Sequence, residues 1–247
     1  MYVRPESGKK NQPTTFGVSG KLWRDSLVMY DRDSRSLWSQ LAGRAIKGQR
    51  KGESLQEYPA KTTSWLRWRT RYPDTLVLKP VEAQKEYELS RQSYAHYAAD
   101  RNRTGVTGST YSDDRLPAKE LIYGLAVGDV TKAYPYSRLR AQPMIQDRLG
   151  KACVLILFDG DGAFAYRCEM DGRALTFRAL RRDGGKLVLA DEETGSEWEM
   201  PSAIATAGPL AGKELEALPG HAVYWFAWSA FYPKTAVWPD PGTDAAP

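Results

Sequence analysis

The second half of the chain alternates short apolar runs with turn residues at a regular spacing. One turn, Gly128-Asp129, has the two-residue form that is typical of tight β-hairpins. Turn residues recur about every 8–12 positions, which predicts an antiparallel sheet or a small barrel. The predicted strand pairs are Leu121–Val127 with Val130–Tyr136, Ala152–Phe158 with Ala163–Met170, and Leu175–Leu180 with Lys186–Ala190.

Residues 27–78 and 187–238 are two copies of one segment. A shift of 160 positions aligns them without a gap, and 16 of the 52 aligned residues are identical. Rare residues do not match at this rate by chance, so the chain contains an internal repeat. With one further residue of slippage, Thr15-Phe16 also matches Thr176-Phe177.

Each copy is predicted to end in a short helix. In the first copy Thr62 or Thr63 can cap TSWLRWRTRY, and Pro73 stops it. The aromatic residues of this segment then lie on one face of the helix. We therefore predict that the repeated aromatic residues form the core of each repeat. They are Trp38, Trp65, Trp68 and Tyr72 in the first copy and Trp198, Trp225, Trp228 and Tyr232 in the second.

The two copies differ in what precedes them. A predicted β meander, residues 119–176, leads into the second copy, whereas only fourteen residues, most of them polar, precede Thr15. By this comparison roughly 45 residues of an equivalent meander are absent from the first copy. A repeat without its meander is expected to leave a sheet edge or part of its core exposed.

The sequence therefore predicts a β-rich α+β fold made of two tandem antiparallel-sheet repeats, each ending in a short Trp-containing helix, with the first repeat incomplete. A helix is also expected near residues 81–99, between the repeats. The predicted boundaries are 15–78 for the incomplete first repeat, 79–118 for a linker and 119–238 for the complete second repeat.

Composition argues against several classes of protein. No run of about 18 apolar residues occurs, so we expect no transmembrane segment, and the first residues contain no apolar core of a signal peptide. Two cysteines and two histidines are too few for a disulfide framework or a dedicated zinc site. We expect no metal and no cofactor. The absence of a Walker loop, a Gly-x-Gly-x-x-Gly and a Gly-x-Ser-x-Gly motif argues against an enzyme.

The net charge of +5 comes from the first 78 residues, which hold 15 Lys and Arg against 7 Asp and Glu. Within them, WLRWRTRY alternates aromatic residues with Arg67, Arg69 and Arg71, a pattern that suits stacking on single-stranded nucleic acid. The second copy reads WFAWSAFY, so it retains the aromatic residues and loses every arginine. Aromatic residues that persist without the charges indicate core packing, so we expect no nucleic-acid partner.

Asp31, Asp33, Ser39 and Gln40 are the weak candidates for catalytic residues. Paired carboxylates can perform acid–base chemistry, and Ser39 and Gln40 are specific to the first copy. However, Asp31 recurs as Asp191, and DRDSRS aligns with DEETGS. A hairpin turn whose aspartate binds its own backbone is therefore the preferred interpretation.

Cys153 and Cys168 lie on either side of FDGDGAF, a predicted turn. If Gly160-Asp161 is the centre of the turn, the two cysteines face each other across the hairpin and can form a disulfide in an oxidising compartment. If Asp161-Gly162 is the centre, the register shifts by two and Cys153 faces Met170. Both registers, and two unpaired buried thiols, remain open at this point.

Several segments together resemble the family called domain of unknown function 3179. They are TFGVSGKLWRDSLVMYDRDSRSLWSQLAGRAIKG, TTSWLRWRTRYPDTLVL, DRLPAKELIYGLAVGDVTKAYP and the closing DEETGSEWEM with YWFAWSAFYPKTAVW. The resemblance covers Thr15 to Trp238. It implies a prokaryotic protein without an assigned activity whose full-length relatives are commonly exported or membrane-anchored. Relatives carry a Cys-Pro-x-Cys-Gly-Thr stretch before the TFGVSG-like segment. The second copy here has Leu157 and Gly160 where those cysteines would stand.

These observations favour a non-catalytic binding or scaffold domain outside the cytoplasm, with partners that the sequence does not identify. One alternative is a redox or metal-handling protein whose Cys-x-x-Cys half is absent from this chain. A second alternative is a hydrolase-like enzyme that uses the polar residues of the first copy.

Overall fold

The fold is β-rich α+β, as predicted, and the strand pairs that the structure describes are antiparallel with one exception. Between the repeats, residues 95–99 are helical; the remainder of the helix predicted near 81–99 lies outside the described residues. A computed structural model describes residues 1–6, 12–77, 95–101, 103–105, 113–183 and 186–239.

The first repeat consists of one sheet followed by one helix, α1 (Trp65–Arg71). Adjacent strands of the sheet pair in sequence order, so the chain forms a simple meander. Trp38, Ala45 and Leu55 form its small core, against which Tyr2 and Phe16 pack. The four strands are β1 (Phe16–Trp23), β2 (Ser26–Asp31), β3 (Leu37–Ser39) and β4 (Arg44–Lys47).

Among the described residues, the second repeat contains an equivalent sheet, two further four-stranded sheets and one short two-stranded sheet. Its elements begin with β5 (Leu121–Val127), β6 (Val130–Pro135), α2 (Tyr136–Ala141), β7 (Met144–Leu149), β8 (Ala152–Phe158), β9 (Ala163–Arg167), β10 (Glu169–Met170) and β11 (Arg173–Ala174). They continue with β12 (Phe177–Asp183), β13 (Lys186–Asp191), β14 (Glu197–Met200), β15 (Ile204–Ala207), β16 (Ala217–Leu218), β17 (Gly220–Tyr224), α3 (Trp225–Phe231) and β18 (Ala236–Val237).

Three sheets of the second repeat pack in layers. The strand orders are β17-β5-β6-β18, β16-β9-β8-β7 and β12-β13-β14-β15, with β18 parallel to β6. Strand β8 is buried along its whole length. Val154 and Ile156 pack towards the first sheet, whereas Leu155 and Leu157 pack towards the third. Burial of both faces explains why ACVLILF is continuously apolar rather than alternating.

The one-residue slippage in the sequence repeat has a structural cause. Between Val18 and Lys21 of β1, two residues are left without a partner on β2. Between Ala179 and Arg181 of β12, the bulge contains a single residue. Because a bulge absorbs extra residues without changing the pairing on either side, the two sheets keep the same register beyond it.

The repeated polar residues of the first copy hold Trp38 in its core. Buried Asp31 accepts hydrogen bonds from the Trp38 indole N–H at 2.8 Å and from the Ser34 backbone N–H and hydroxyl. Gly48 passes so close to Ser36 that an added Cβ would lie 2.6 Å from its Oγ. Glycine is therefore required there.

The second copy makes the same contacts with its own residues. Asp191 accepts from the Trp198 indole N–H at 2.9 Å and from the backbone N–H and hydroxyl of Thr194. An added Cβ at Gly208 would lie 2.6 Å from the Ser196 Cα. These residues recur in the two copies because one indole-anchoring turn is built twice.

Candidate functional site

A groove runs between helix α1 of the first repeat and strand β9 of the second. Its cavity has a volume of about 800 Å³. Aromatic side chains from both repeats line it, namely Trp68, Tyr72, Phe164 and Tyr166. Cationic side chains stand among them, namely Lys61, Arg67 and Arg71. The groove is thus apolar on its walls and positively charged on the α1 side.

Helix α1 begins one residue later than its predicted caps suggest. Ser64, rather than Thr62 or Thr63, is the N-cap, and its side chain accepts from the Arg67 backbone N–H. The helix ends at Arg71, and the backbone N–H of Tyr72, its C-cap, donates to the Trp68 carbonyl before Pro73. These two ends determine which aromatic residues of α1 face the groove.

The prediction that Trp65, Trp68 and Tyr72 are core residues is wrong. Their side chains are 49%, 42% and 46% exposed, and no residue of α1 is buried. The equivalent Trp225 and Trp228 of α3 are completely buried. The difference arises because β5 and β6 cover α3, whereas no strand among the described residues covers α1 in this way.

The remaining aromatic residues of the repeat lie where the sequence placed them. Trp38 and Trp198 are completely buried in the sheet cores of the two copies. Tyr232 packs against the cluster that contains Trp225 and Trp228, with its ring centroid 4.3 Å from that of Trp228.

The β8–β9 turn holds the N-terminal end of α1. Asp161 accepts from the Ser64 backbone N–H at 3.0 Å and hydroxyl at 2.6 Å, and its carboxylate lies 2.9 Å from Arg67 Nε. Asp159 forms an ion pair with Lys61. FDGDGAF is therefore more than a hairpin turn, because its two carboxylates join the repeats. No pattern in the sequence identified this role.

Electrostatics favour the ionised form of both carboxylates. Hydrogen bonds from the side chain and backbone of Ser64, with Arg67 nearby, lower the pKa of Asp161. Burial alone would raise the pKa of Asp159, but the hydrogen bond and charge of Lys61 outweigh it and lower that pKa. Both acids therefore carry charge at neutral pH and offset part of the positive charge of α1.

Two buried tyrosines, Tyr123 and Tyr166, form part of the floor of the groove. Burial raises the pKa of each phenol well above its usual range. The Tyr166 hydroxyl donates to the Pro201 carbonyl at 2.5 Å. These phenols consequently act as neutral hydrogen-bonding groups rather than as acid–base groups at neutral pH.

The structure does not gather the four catalytic candidates into one site. The Asp31 carboxylate accepts a hydrogen bond from the indole N–H of Trp38. The Asp33 carboxylate accepts a hydrogen bond from the Thr14 hydroxyl at 2.8 Å. Ser39 is buried, and its hydroxyl accepts from a backbone N–H. Burial would raise the pKa of Asp31, but hydrogen bonds from Trp38 and Ser34 lower it overall.

Gln40, the fourth candidate, lies in a different environment. It lines a smaller cavity of about 320 Å³ together with Ser26 and His221. His221 Nε2 lies 3.4 Å from a Glu57 carboxylate oxygen. This contact joins the first repeat to β17, and no pattern in the sequence connects the two residues.

Cys153 and Cys168 form a disulfide in the structure, with their Cα atoms 5.2 Å apart. The pairing of Val154 with Arg167 fixes the register of the β8–β9 hairpin as the one centred on Gly160-Asp161. Among the described residues, no group of three or more His, Cys, Asp or Glu side chains could hold a metal ion. The described part of the chain also contains no helix with the length and apolarity needed to cross a membrane.

Most of the chain matches a protein-family model. A family model described as "Protein of unknown function (DUF3179)" matches residues 3–235. Neither the curated proteins nor the solved structures contain a match to the chain. Function must therefore be argued from the geometry of the chain itself.

Proposed function

Because the chain belongs to the family described as protein of unknown function (DUF3179), we propose its function from its own geometry: a non-catalytic, extracytoplasmic binding module that recognises a segment of another protein. The groove between α1 and β9 is the proposed binding site. The redox or metal-handling alternative and the hydrolase alternative gain no comparable support from the described residues.

The exposed aromatic face of α1 is the observation on which the proposal depends. Trp68 and Tyr72 are more than 40% exposed, yet they stand opposite Phe164 and Tyr166 across the groove. Exposed aromatic clusters of this kind favour protein–protein contact, since tryptophan and tyrosine contribute most of the energy at interface centres.

The charge of the groove favours a peptide over a nucleic acid. Lys61 lies over the Phe164 ring at 4.3 Å and is paired with Asp159, and Arg67 is paired with Asp161. A polyanion carries charge along its whole backbone and would be repelled by these two carboxylates, whereas a peptide with apolar side chains and a few acidic ones can place its charges away from them. Such acidic groups can pair with Arg71, which lines the groove and has no ion-pair partner among the described residues.

The extracytoplasmic location is supported by the Cys153–Cys168 disulfide, because disulfides persist mainly in oxidising compartments. Alkylation of free thiols in the host cell, followed by intact mass measurement, tests this part of the proposal. We expect the two cysteines to be unreactive before reduction. Full alkylation without reduction would place the protein in a reducing compartment.

Selection of random 15-residue peptides displayed on phage tests the binding function. We expect enrichment of sequences that combine apolar and acidic residues, and at least tenfold weaker binding to the Trp68→Ala variant. Tyr58→Ala is the matched control, because Tyr58 is 60% exposed but does not line the groove. A labelled oligo(dT) strand should not bind. The proposal would be refuted if no peptide is enriched, or if the enriched peptides bind the Trp68→Ala variant as tightly as they bind the unaltered chain.

A further inference from the structure

The second repeat shows what covers its own Trp-containing helix. Trp225 and Trp228 of α3 pack against Ile122 of β5 and Ala133 of β6. Gly124 of β5 lies directly over Trp228, and an added Cβ there would lie 2.5 Å from the indole ring. Only a strand with glycine at this position can approach the tryptophan so closely.

The chain that follows α3 adds a further contact with the same hairpin. Strand β18 pairs in parallel with β6, with Val237 opposite Ala133. The Trp228 indole N–H donates to the Thr235 hydroxyl at 3.0 Å, which fixes β18 relative to the helix. The β5–β6 hairpin therefore lies against both the helix and the strand after it.

The first repeat preserves the same surface, and within the described part of the chain no hairpin covers it. The Trp68 indole N–H donates to the Thr75 hydroxyl at 2.9 Å, so the segment after α1 has the same local geometry. Leu76 and Val77, which correspond to β18, are 95% and 67% exposed. Trp65, Trp68, Tyr72, Leu76 and Val77 together are here called the open face.

We propose that the open face binds a β-hairpin of the β5–β6 type, supplied by a partner polypeptide. This proposal rests on the proposed function and names its ligand class. The hairpin would place a strand in parallel beside Leu76-Val77 and a glycine over Trp68, as β6 and Gly124 do in the second repeat. The β8–β9 turn already holds the N-terminal end of α1 at Ser64, so the hairpin would lie beyond it, towards Tyr72.

Charge distinguishes the partner from the chain's own hairpin. Ala227 and Ser229 of α3 are buried, whereas their counterparts on α1 are Arg67 and Arg69. Arg69 and Arg71 form no ion pair with any residue that the structure describes. The partner hairpin is therefore expected to carry acidic residues beside its apolar face.

The chain's own hairpin is the probe that tests this proposal. A fluorescein-labelled peptide of residues 119–137 is titrated with the full chain, and binding is followed by fluorescence anisotropy. The matched peptide carries Gly124→Val, which introduces the clash with the indole. In a third peptide, a disulfide between added terminal cysteines keeps the hairpin folded. This peptide must also bind the chain, as the 119–137 peptide without the disulfide does.

We expect saturable binding of the 119–137 peptide, at least tenfold weaker binding of the Gly124→Val peptide, and a similar loss with the Trp68→Ala protein. The Tyr58→Ala protein should bind as the unaltered chain does. Equal binding of both peptides, or no binding of either, overturns the hairpin proposal.

The two proposals fail in distinguishable ways. If displayed peptides bind through Trp68 but the hairpin peptide does not, the binding function stands and the hairpin assignment is wrong. If nothing binds through Trp68, both are wrong. Sedimentation of the protein alone provides a further check. A dimer that Trp68→Ala dissociates would assign the open face to a second copy of the chain and overturn the proposal of a separate partner.

Discussion

The two tryptophans at one repeat position offer a matched test of the structure. Trp228 and Trp68 occupy equivalent places, and each indole donates a hydrogen bond to the hydroxyl of the threonine seven residues later. Trp228 is fully buried, whereas Trp68 is 42% exposed. Replacement of each by alanine therefore removes the same group and the same hydrogen bond, and the two variants differ mainly in burial.

The expected destabilisation follows from this difference. Trp228→Ala removes a completely buried indole and leaves a cavity beneath Gly124, which costs about 3–5 kcal/mol in the free energy of unfolding. Trp68→Ala leaves no enclosed cavity because water reaches the site, so only about 1–2 kcal/mol of apolar burial is lost. The two variants should therefore differ by about 1–4 kcal/mol.

Urea denaturation followed by tryptophan fluorescence and circular dichroism measures the difference. With a slope of about 3 kcal/mol per molar urea, 2 kcal/mol corresponds to a shift of about 0.7 M in the midpoint. Equal shifts for both variants would refute the reasoning, because they would mean that α1 is covered in solution as α3 is.

Three further predictions concern the turns, the disulfide and the junction between the repeats. Asp31→Asn should lower the free energy of unfolding by about 1–3 kcal/mol, since the buried carboxylate accepts from Trp38 and Ser34; Asp33→Asn, at an exposed position, should change it by less than about 0.5 kcal/mol in the same urea assay. Reduction of the Cys153–Cys168 disulfide, which closes a sequence separation of 15 residues, should lower the free energy of unfolding by about 3 kcal/mol. The melting temperature should therefore fall when a reductant is added, and an unchanged melting temperature would contradict this prediction. The pKa of Asp161 is lowered in the folded protein, so its contact with Ser64 stabilises the folded state above the unfolded pKa of about 3.9 and is lost as the pH falls through the folded pKa. Limited proteolysis should therefore cut near residues 59–64 only below about pH 4, and an Asp161→Asn variant should be cut there at neutral pH as well; cleavage independent of both changes would count against this contact.

The sequence predicted the strands of the second repeat more successfully than the surroundings of α1. The Gly128-Asp129 hairpin and the bounds of β8 were read from local patterns, because turn residues and apolar runs act within a few positions of each other. The prediction from the sequence did not include β7 or α2, and it placed the cap of α1 at Thr62 or Thr63 instead of Ser64. Adjacent residues of similar capping ability cannot be ranked without the tertiary contact of Ser64 with Asp161.

The candidate site itself was only partly accessible to sequence reasoning. The aromatic residues of α1 were identified, but their exposure was not, because conservation between the copies suggested a shared core. The expectation that an incomplete repeat would expose part of its core pointed the other way, and it agrees with the exposed α1. Phe164 and Tyr166 carry no motif that connects them to Trp68, and only the packing of β9 beside α1 brings them together.

By itself, the sequence determined the β-rich fold, the hairpin turn that recurs in both copies and the family. These depend on local periodicity and on residues whose backbone geometry or hydrogen bonds require their type, such as Asp31 and Gly48. Tertiary structure alone decided which tryptophans are covered and where the repeats meet. Burial depends on the layers that lie over a side chain. The repeated tryptophans are exposed on α1 and buried on α3 because β5 and β6 cover only α3.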